Sequence, residues 1–268
     1  MTSVLKAVIF DWAGTVVDFG CVAPIEALVA AFAAEGVPVT AAEARRDMGR
    51  AKLDHVWALL DHPPVAARWR DAKGAAPTVT DRDRIYEALV PLMEAAATRH
   101  AVLIPGAAEL VADLRREGVK IGSGTGYTRE MMSGILPRAA EQGYAPDVVV
   151  CAGETPSGRP APLMAWKAMV ELDVWPAGAC VKVDDAEVGI EEGRLAGCWT
   201  VGLSASGNGV GLSLADYQAL APDDRAARVA RAAAALTAAG AHYVADSVAD
   251  LRPVLDDIAR RIAAGERP

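Results

Sequence analysis

One apolar, β-branched run, Val4 to Phe10, interrupted only by Lys6, stands alone at the start of this chain; the next stretch that reads as a strand is Val119 to Gly122. A lone strand cannot satisfy its own backbone N–H and C=O groups, so it must pair with strands far downstream, and whatever lies between is an insertion. That insertion reads as helical throughout. Ala23 to Ala34 is apolar on most sides and ends at Gly36-Val37-Pro38, and Thr40 with Glu43 makes a capping box for a new helix. After a break at Gly49 come helices over Arg50 to Leu60, from Pro63-Pro64 to Asp71, and from a cap at Thr80 to Arg99. The expected organisation is a core of residues 1–20 and 101–268 carrying an all-helical cap domain of residues 21–100.

Beyond Leu103-Ile104-Pro105-Gly106 the pattern alternates. A helix over Ala107 to Glu117 precedes the strand Val119 to Gly122, and Thr128 caps a helix to Gln142. Strands follow at Val148 to Cys151, Ala179 to Val183, Cys198 to Leu203 and Ala241 to Ala245. Between them lie helices ending at Leu172 and spanning Val188 to Ala196, a Gly/Ser loop and Ala-rich helices, with a terminal helix over Val248 to Ala264. Strands alternating with helices of this length make βαβ units, so the fold class is α/β with a Rossmann-like, mostly parallel sheet.

With 268 residues, 52% of them hydrophobic, the chain can bury a substantial core. Its net charge of -8 and the lack of any Lys/Arg block exclude nucleic acid as the main partner. Four scattered cysteines without a C-x-x-C pair give neither a zinc site nor a disulfide framework, so a reducing cytoplasm is expected. Met1 to Asp11 is too short for a signal peptide, and no apolar run reaches the ~18 residues of a membrane span.

In a parallel sheet all strand C-termini share one edge, where ligands bind. Four of them carry polar candidates: Asp11, Thr125 within Ser123 to Thr128, Arg159 in the loop Pro156 to Pro162, and Asp184-Asp185. Singly each has an ordinary role, as a turn hydroxyl, a surface charge or a helix-initiating acid pair. Together, in this order, they make a phosphoryl site. Asp11 would attack phosphorus, Thr125 and nearby N–H groups would hold its oxygens, and Arg159 would neutralise their charge. The carboxylates would bind Mg²⁺.

The order of these motifs resembles the haloacid dehalogenase superfamily, in which a strand-end Asp is the nucleophile and a helical cap is inserted soon after it. Most phosphatases of that superfamily carry a general-acid Asp two residues on, where this chain has Ala13. The segments FDWAGT, Gly20-Cys21-Val22-Ala23-Pro24, Met48-Gly49-Arg50-Ala51-Lys52-Leu53-Asp54-His55-Val56 and Thr125-Gly126-Tyr127-Thr128-Arg129-Glu130-Met131-Met132 resemble, more narrowly, the phosphonoacetaldehyde hydrolase (phosphonatase) family. That resemblance implies cleavage of a P–C bond, for which the departing carbanion needs an electron sink. An imine between Lys52 and the aldehyde supplies one, provided the amine is neutral.

The resemblance further implies catalytic roles for Asp11, Lys52, His55 (a proton relay one turn along), Tyr127 and Met48, and substrate or phosphate contacts from Thr125, Gly126, Arg159, Gly49 and Cys21. Metal ligation falls to Asp11, the Ala13 carbonyl and Asp185, with Asp184 as a further candidate. The partners implied are a small phosphonate substrate and a second copy, in a homodimer through the cap. Two departures stand out. The family's fourth motif reads Gly-Asp-Thr and then, after two residues, Asp; here Asp184-Asp185-Ala186 is followed by Gly189, which reshapes the metal site. Ser123-Gly124 also differs from the usual residues before the threonine, loosening the phosphate loop. The alternatives are another phosphatase, mutase or dehalogenase of the superfamily, or a catalytically silent ligand-binding homologue.

Overall fold

The structure, a computed structural model, describes residues 4–268. Met1 to Ser3, the start of the expected core segment and of the stretch read as too short for a signal, lie outside the described residues. Strand β1 (Ala7–Phe10) leads into five helices: α1 (Val22–Ala34), α2 (Ala41–Arg45), α3 (Lys52–Asp61), α4 (Pro63–Lys73) and α5 (Val79–Arg99). The chain then runs α6 (Ala107–Arg116), β2 (Lys120–Thr125), α7 (Ile135–Glu141), β3 (Val148–Cys151), α8 (Leu163–Glu171) and β4 (Cys180–Asp184). It finishes with α9 (Glu187–Ala196), β5 (Trp199–Leu203), α10 (Leu214–Ala219), α11 (Pro222–Ala238), β6 (Tyr243–Ala245) and α12 (Leu251–Ala263).

The six strands form one parallel sheet in the order β3-β2-β1-β4-β5-β6. The isolated first strand is therefore central. Phe10 is level with Ser123 on one side and Val183 on the other, so Asp11, Thr125 and Asp184 emerge together at the same edge. Residues of β1 are fully buried, as a strand covered on both faces requires. In the cap, α1 packs along α5 with Leu28, Phe32, Ile85, Leu89 and Met93 all buried, and Trp69 of α4, which packs on α3, joins the same buried cluster. Burial of side chains this size contributes about 1.5–3 kcal/mol each. Among the described residues no helix is long and apolar enough to cross a membrane.

Some boundaries depart from the sequence reading. The Thr40–Glu43 capping box forms, but α5 is capped by Thr78, not Thr80. The reciprocal box needs a free acid three residues on; Asp81 serves Thr78, whereas Asp83 is taken by its neighbour Arg82. Thr128 caps only a turn, its hydroxyl accepting from Met131 N–H at 3.3 Å, and α7 starts after Gly134. There a side chain would collide with Thr98 of the cap. Strand β1 also begins later than Val4, and β2 runs on to Thr125.

Candidate active site

Asp11 leaves β1 with its own N–H bonded to Val183 C=O at 3.0 Å, while the next residue, Trp12, turns inward and donates its indole N–H to Ser123 Oγ. The Trp12 ring packs edge-on against Tyr144 at 5.2 Å. Ser123 thus anchors the loop after the first strand rather than loosening the phosphate loop. Gly14 follows with φ +85°, and a side chain there would run into the Asp185 carboxylate. The turn therefore has to be glycine for the acid of β4 to approach the acid of β1.

Ligand oxygens of Asp11, Asp184 and Asp185 lie within 4.8 Å of one another, all buried. Burial, then the charge of Asp184, pushes Asp11 up to about 6. Asp185 is driven well above the ordinary carboxylate range by burial and by Asp11 and Asp184. Burial acts on Asp184 too, but Lys182 and Arg159 outweigh it and hold this acid low. Arg159 is the hub: its Nη1 donates to Asp11 at 2.7 Å and lies 3.4 Å from Asp184, Nη2 donates to Gly124 C=O at 2.8 Å, and Nε to Glu192 at 2.9 Å. Asp185, by contrast, is held by Asn208 N–H at 2.7 Å and, more loosely, by the Thr15 hydroxyl at 3.5 Å. Among the described residues no lysine or arginine pairs with it. An oxygen-only donor set with uncompensated negative charge suits a hard divalent cation.

The absent acid at position 189 has a geometric counterpart. A Cβ built on Gly189 would overlap the Asp184 carboxylate. Acid and glycine have exchanged places relative to the family pattern, and a third carboxylate still reaches this edge, so Gly189 does not leave the cluster short of an acid.

The cap supplies the opposite wall. Its Gly49-Arg50 turn sits on Gly126, where a Cβ would lie 2.6 Å from Arg50 C=O, and Gly49 takes φ +90°. This brings Lys52, the first residue of α3 and only 2% exposed, over the crevice. Its Nζ lies 4.0 Å from Met48 Sδ and 5.3 Å from the Tyr127 ring centre. Burial, more than the nearby Arg159 charge, lowers its pKa to about 8, and the positive end of α3 disfavours the ammonium further. Cys21 directs its thiol to Ala13 C=O at 3.2 Å, and Thr125 Oγ1 accepts from Tyr127 N–H at 3.1 Å.

A cavity of about 20 Å³, room for a single water, lies between cap and core. Of the sequence-predicted residues, all line this crevice except two. Asp184 stands behind it, against Lys182 and Arg159. His55 faces away, its Nε2 donating to Ala44 C=O at 2.8 Å, and burial followed by the Lys52 charge lowers its pKa to about 3. One helical turn puts it beside Lys52; the backbone of α2 holds one ring nitrogen, while Nδ1 is buried with no hydrogen-bond partner among the described residues.

A family model for haloacid dehalogenase-like hydrolases matches residues 5–197. The phosphonoacetaldehyde hydrolase of Paraburkholderia xenovorans is 53% identical over 98% of this chain and 99% of its own length. The chain belongs to the phosphonoacetaldehyde hydrolase family. Its counterpart from Syntrophobacter fumaroxidans is 43% identical over 100% of this chain and 96% of its own length. The crystal structure of a phosphonoacetaldehyde hydrolase-like protein from Oleispira antarctica superposes with a TM-score of 0.98, at 44% identity over 100% of this chain and 97% of that one. The protein is thus a hydrolase with the α/β core of this superfamily.

Sequence reasoning missed Lys182 and Glu192, both fully buried, which complete the charge network behind Arg159. The available signal was a lysine in the middle of the apolar run Cys180 to Val183. It also missed Arg45 and Asn208, which join the cap to the loop beneath Asp185.

Proposed function

We propose that this hydrolase cleaves the P–C bond of phosphonoacetaldehyde, giving acetaldehyde and phosphate. The observation that carries the reading is a buried lysine that, among the described residues, has no carboxylate partner and faces Asp11 across a small crevice, with Ala13 standing where a general acid two residues after the nucleophile would be. Arg159 and Thr125, with the backbone N–H groups after β2, hold the phosphonate oxygens; the incoming anion takes Arg159 from Asp11 and frees the nucleophile. Neutral Lys52 adds to the aldehyde, and the resulting carbinolamine takes up a proton from solvent and loses water, forming a protonated imine. The Asp11 carboxylate then attacks phosphorus, and the P–C electron pair moves into the imine to leave an enamine. Protonation at carbon and hydrolysis release acetaldehyde and regenerate Lys52, while water attacks the aspartyl phosphate and releases phosphate. Mg²⁺ held by Asp11, Asp185 and the Ala13 carbonyl would neutralise charge on the transferring group.

Two further elements of the reading are the homodimer through the cap and the cytoplasmic location. Trp57 and Leu92, partly exposed on α3 and α5, support the former, which sedimentation equilibrium tests. Borohydride trapping with phosphonoacetaldehyde, followed by peptide mapping, tests the chemistry. The expected label is on Lys52, with turnover of phosphonoacetaldehyde far exceeding that of p-nitrophenyl phosphate and haloacetate. A label elsewhere, or an active enzyme with none, overturns the mechanism.

A further inference from the structure

The Gly/Ser loop after β5 takes no part in the chemistry above, yet it touches both halves of the molecule. Its Ser206 hydroxyl donates to Gly14 C=O at 2.8 Å, and Ser206 C=O accepts from Gly20 N–H at 2.7 Å, so the loop is tied to the turn that follows the nucleophile. Its Asn208 N–H holds Asp185, and a side chain at Gly207 would strike that same acid. From the cap, Arg45 at the end of α2 reaches across. Nη1 donates to Asn208 Oδ1 at 3.1 Å and Gly20 C=O at 2.9 Å, and Nη2 to Gly211 C=O at 2.9 Å. Asn208 Nδ2 returns a bond to Arg45 C=O at 3.1 Å. A planar guanidinium can satisfy several fixed acceptors at once only when the cap is seated.

We infer that Arg45 and the loop Ser206 to Gly211 form a latch coupling closure of the cap to the orientation of Asp185, with Arg45 a positioning residue that never touches substrate. The pair of bonds between Arg45 and the Asn208 side chain ties the cap to the residue whose backbone amide holds Asp185. Opening the cap therefore releases that acid, and a cation bound by Asp185 favours the closed form by the same factor.

The inference rests on the proposed metal site, and its test separates the two. Hydrogen exchange of residues 206–211 and Mn²⁺ affinity are measured without substrate in the wild type, Arg45→Met, Arg45→Lys and Asn208→Ala. Arg84→Met, which removes pairs to Glu35 and Asp81 within the cap, serves as control. In Arg45→Met the loop amides are expected to exchange faster and Mn²⁺ affinity to fall about five- to tenfold, with Arg45→Lys recovering part and Arg84→Met unchanged. Unchanged exchange and affinity in Arg45→Met overturn the latch; if that variant does not fold, Asn208→Ala decides by the same two readings. A wild type that binds no Mn²⁺ defeats the metal site instead, and the exchange rates alone then decide the latch.

Discussion

Lys52 and Lys182 are both buried, 2% and 0% exposed, and the molecule uses them in opposite ways. Lys182 points from β4 into a nest of acids, bonded to Asp184 and 3.7 Å from Glu192, so its charge is matched on the spot. Lys52 enters the crevice from the cap with a thioether and an aromatic ring nearest its nitrogen. Both lysines are desolvated; only one is compensated. An ammonium without a counter-ion in such a place gives up its proton readily, and a neutral amine is what carbonyl addition needs. The arrangement of carboxylates, more than depth of burial, separates the two lysines.

The sharpest way to break this contrast is to remove both amines in turn. Lys52→Met is expected to lower kcat/KM for phosphonoacetaldehyde on the order of 10⁴-fold or more, read by acetaldehyde release. Its stability to urea should hold or rise by about 1 kcal/mol, because only the weak contact to the Met48 thioether is lost. Lys182→Met should do the reverse in the folding assay, losing about 3–5 kcal/mol as Asp184 and Glu192 are left with Arg159 alone. Equal destabilisation by the two substitutions would erase the distinction.

A finer probe is Gly189→Ala. The added methyl displaces Asp184 from Lys182, and we expect a loss of about 1–3 kcal/mol in thermal unfolding, with weaker Mn²⁺ binding. Protonation sharpens the comparison further. The Lys52 amine is neutral only above its pKa of about 8, so borohydride labelling should climb about tenfold per pH unit below that value and level off above it. A rate that stays flat from pH 6 to 8 would show the amine already neutral, and the crevice more desolvating than its neighbours imply. The smallest effect is expected from Met48→Leu, which keeps the volume beside Lys52 and should cost less than about 1.5 kcal/mol of stability.

These two lysines also mark how far the sequence could be read. Strand identities were legible because buried parallel strands must be apolar throughout, and the cap because helices cannot complete a sheet. The crevice residues were legible because strand ends in a parallel sheet converge whatever lies between them. Lys182 was not, since nothing in Cys180 to Val183 says that a glutamate one helix later folds back over it. His55 illustrates the same limit: helical spacing fixed its turn beside Lys52, while the competing carbonyl of Ala44 came from a different helix. Arg45 reads locally as a basic residue closing a short helix, a role that hides its reach to Asn208.

The central position of β1 has a consequence for synthesis. Its neighbours in the sheet are residues 120–125 and 180–184, whereas the cap helices contact one another within a single continuous stretch. A nascent chain can assemble the cap while its first strand still lacks both flanking ribbons, and the strand that carries Asp11 waits until β4 has left the ribosome. Throughout that interval Ala7 to Phe10 is an apolar segment with open edges. A chain halted before Cys180 should consequently accumulate as aggregate, while one released after β6 should not.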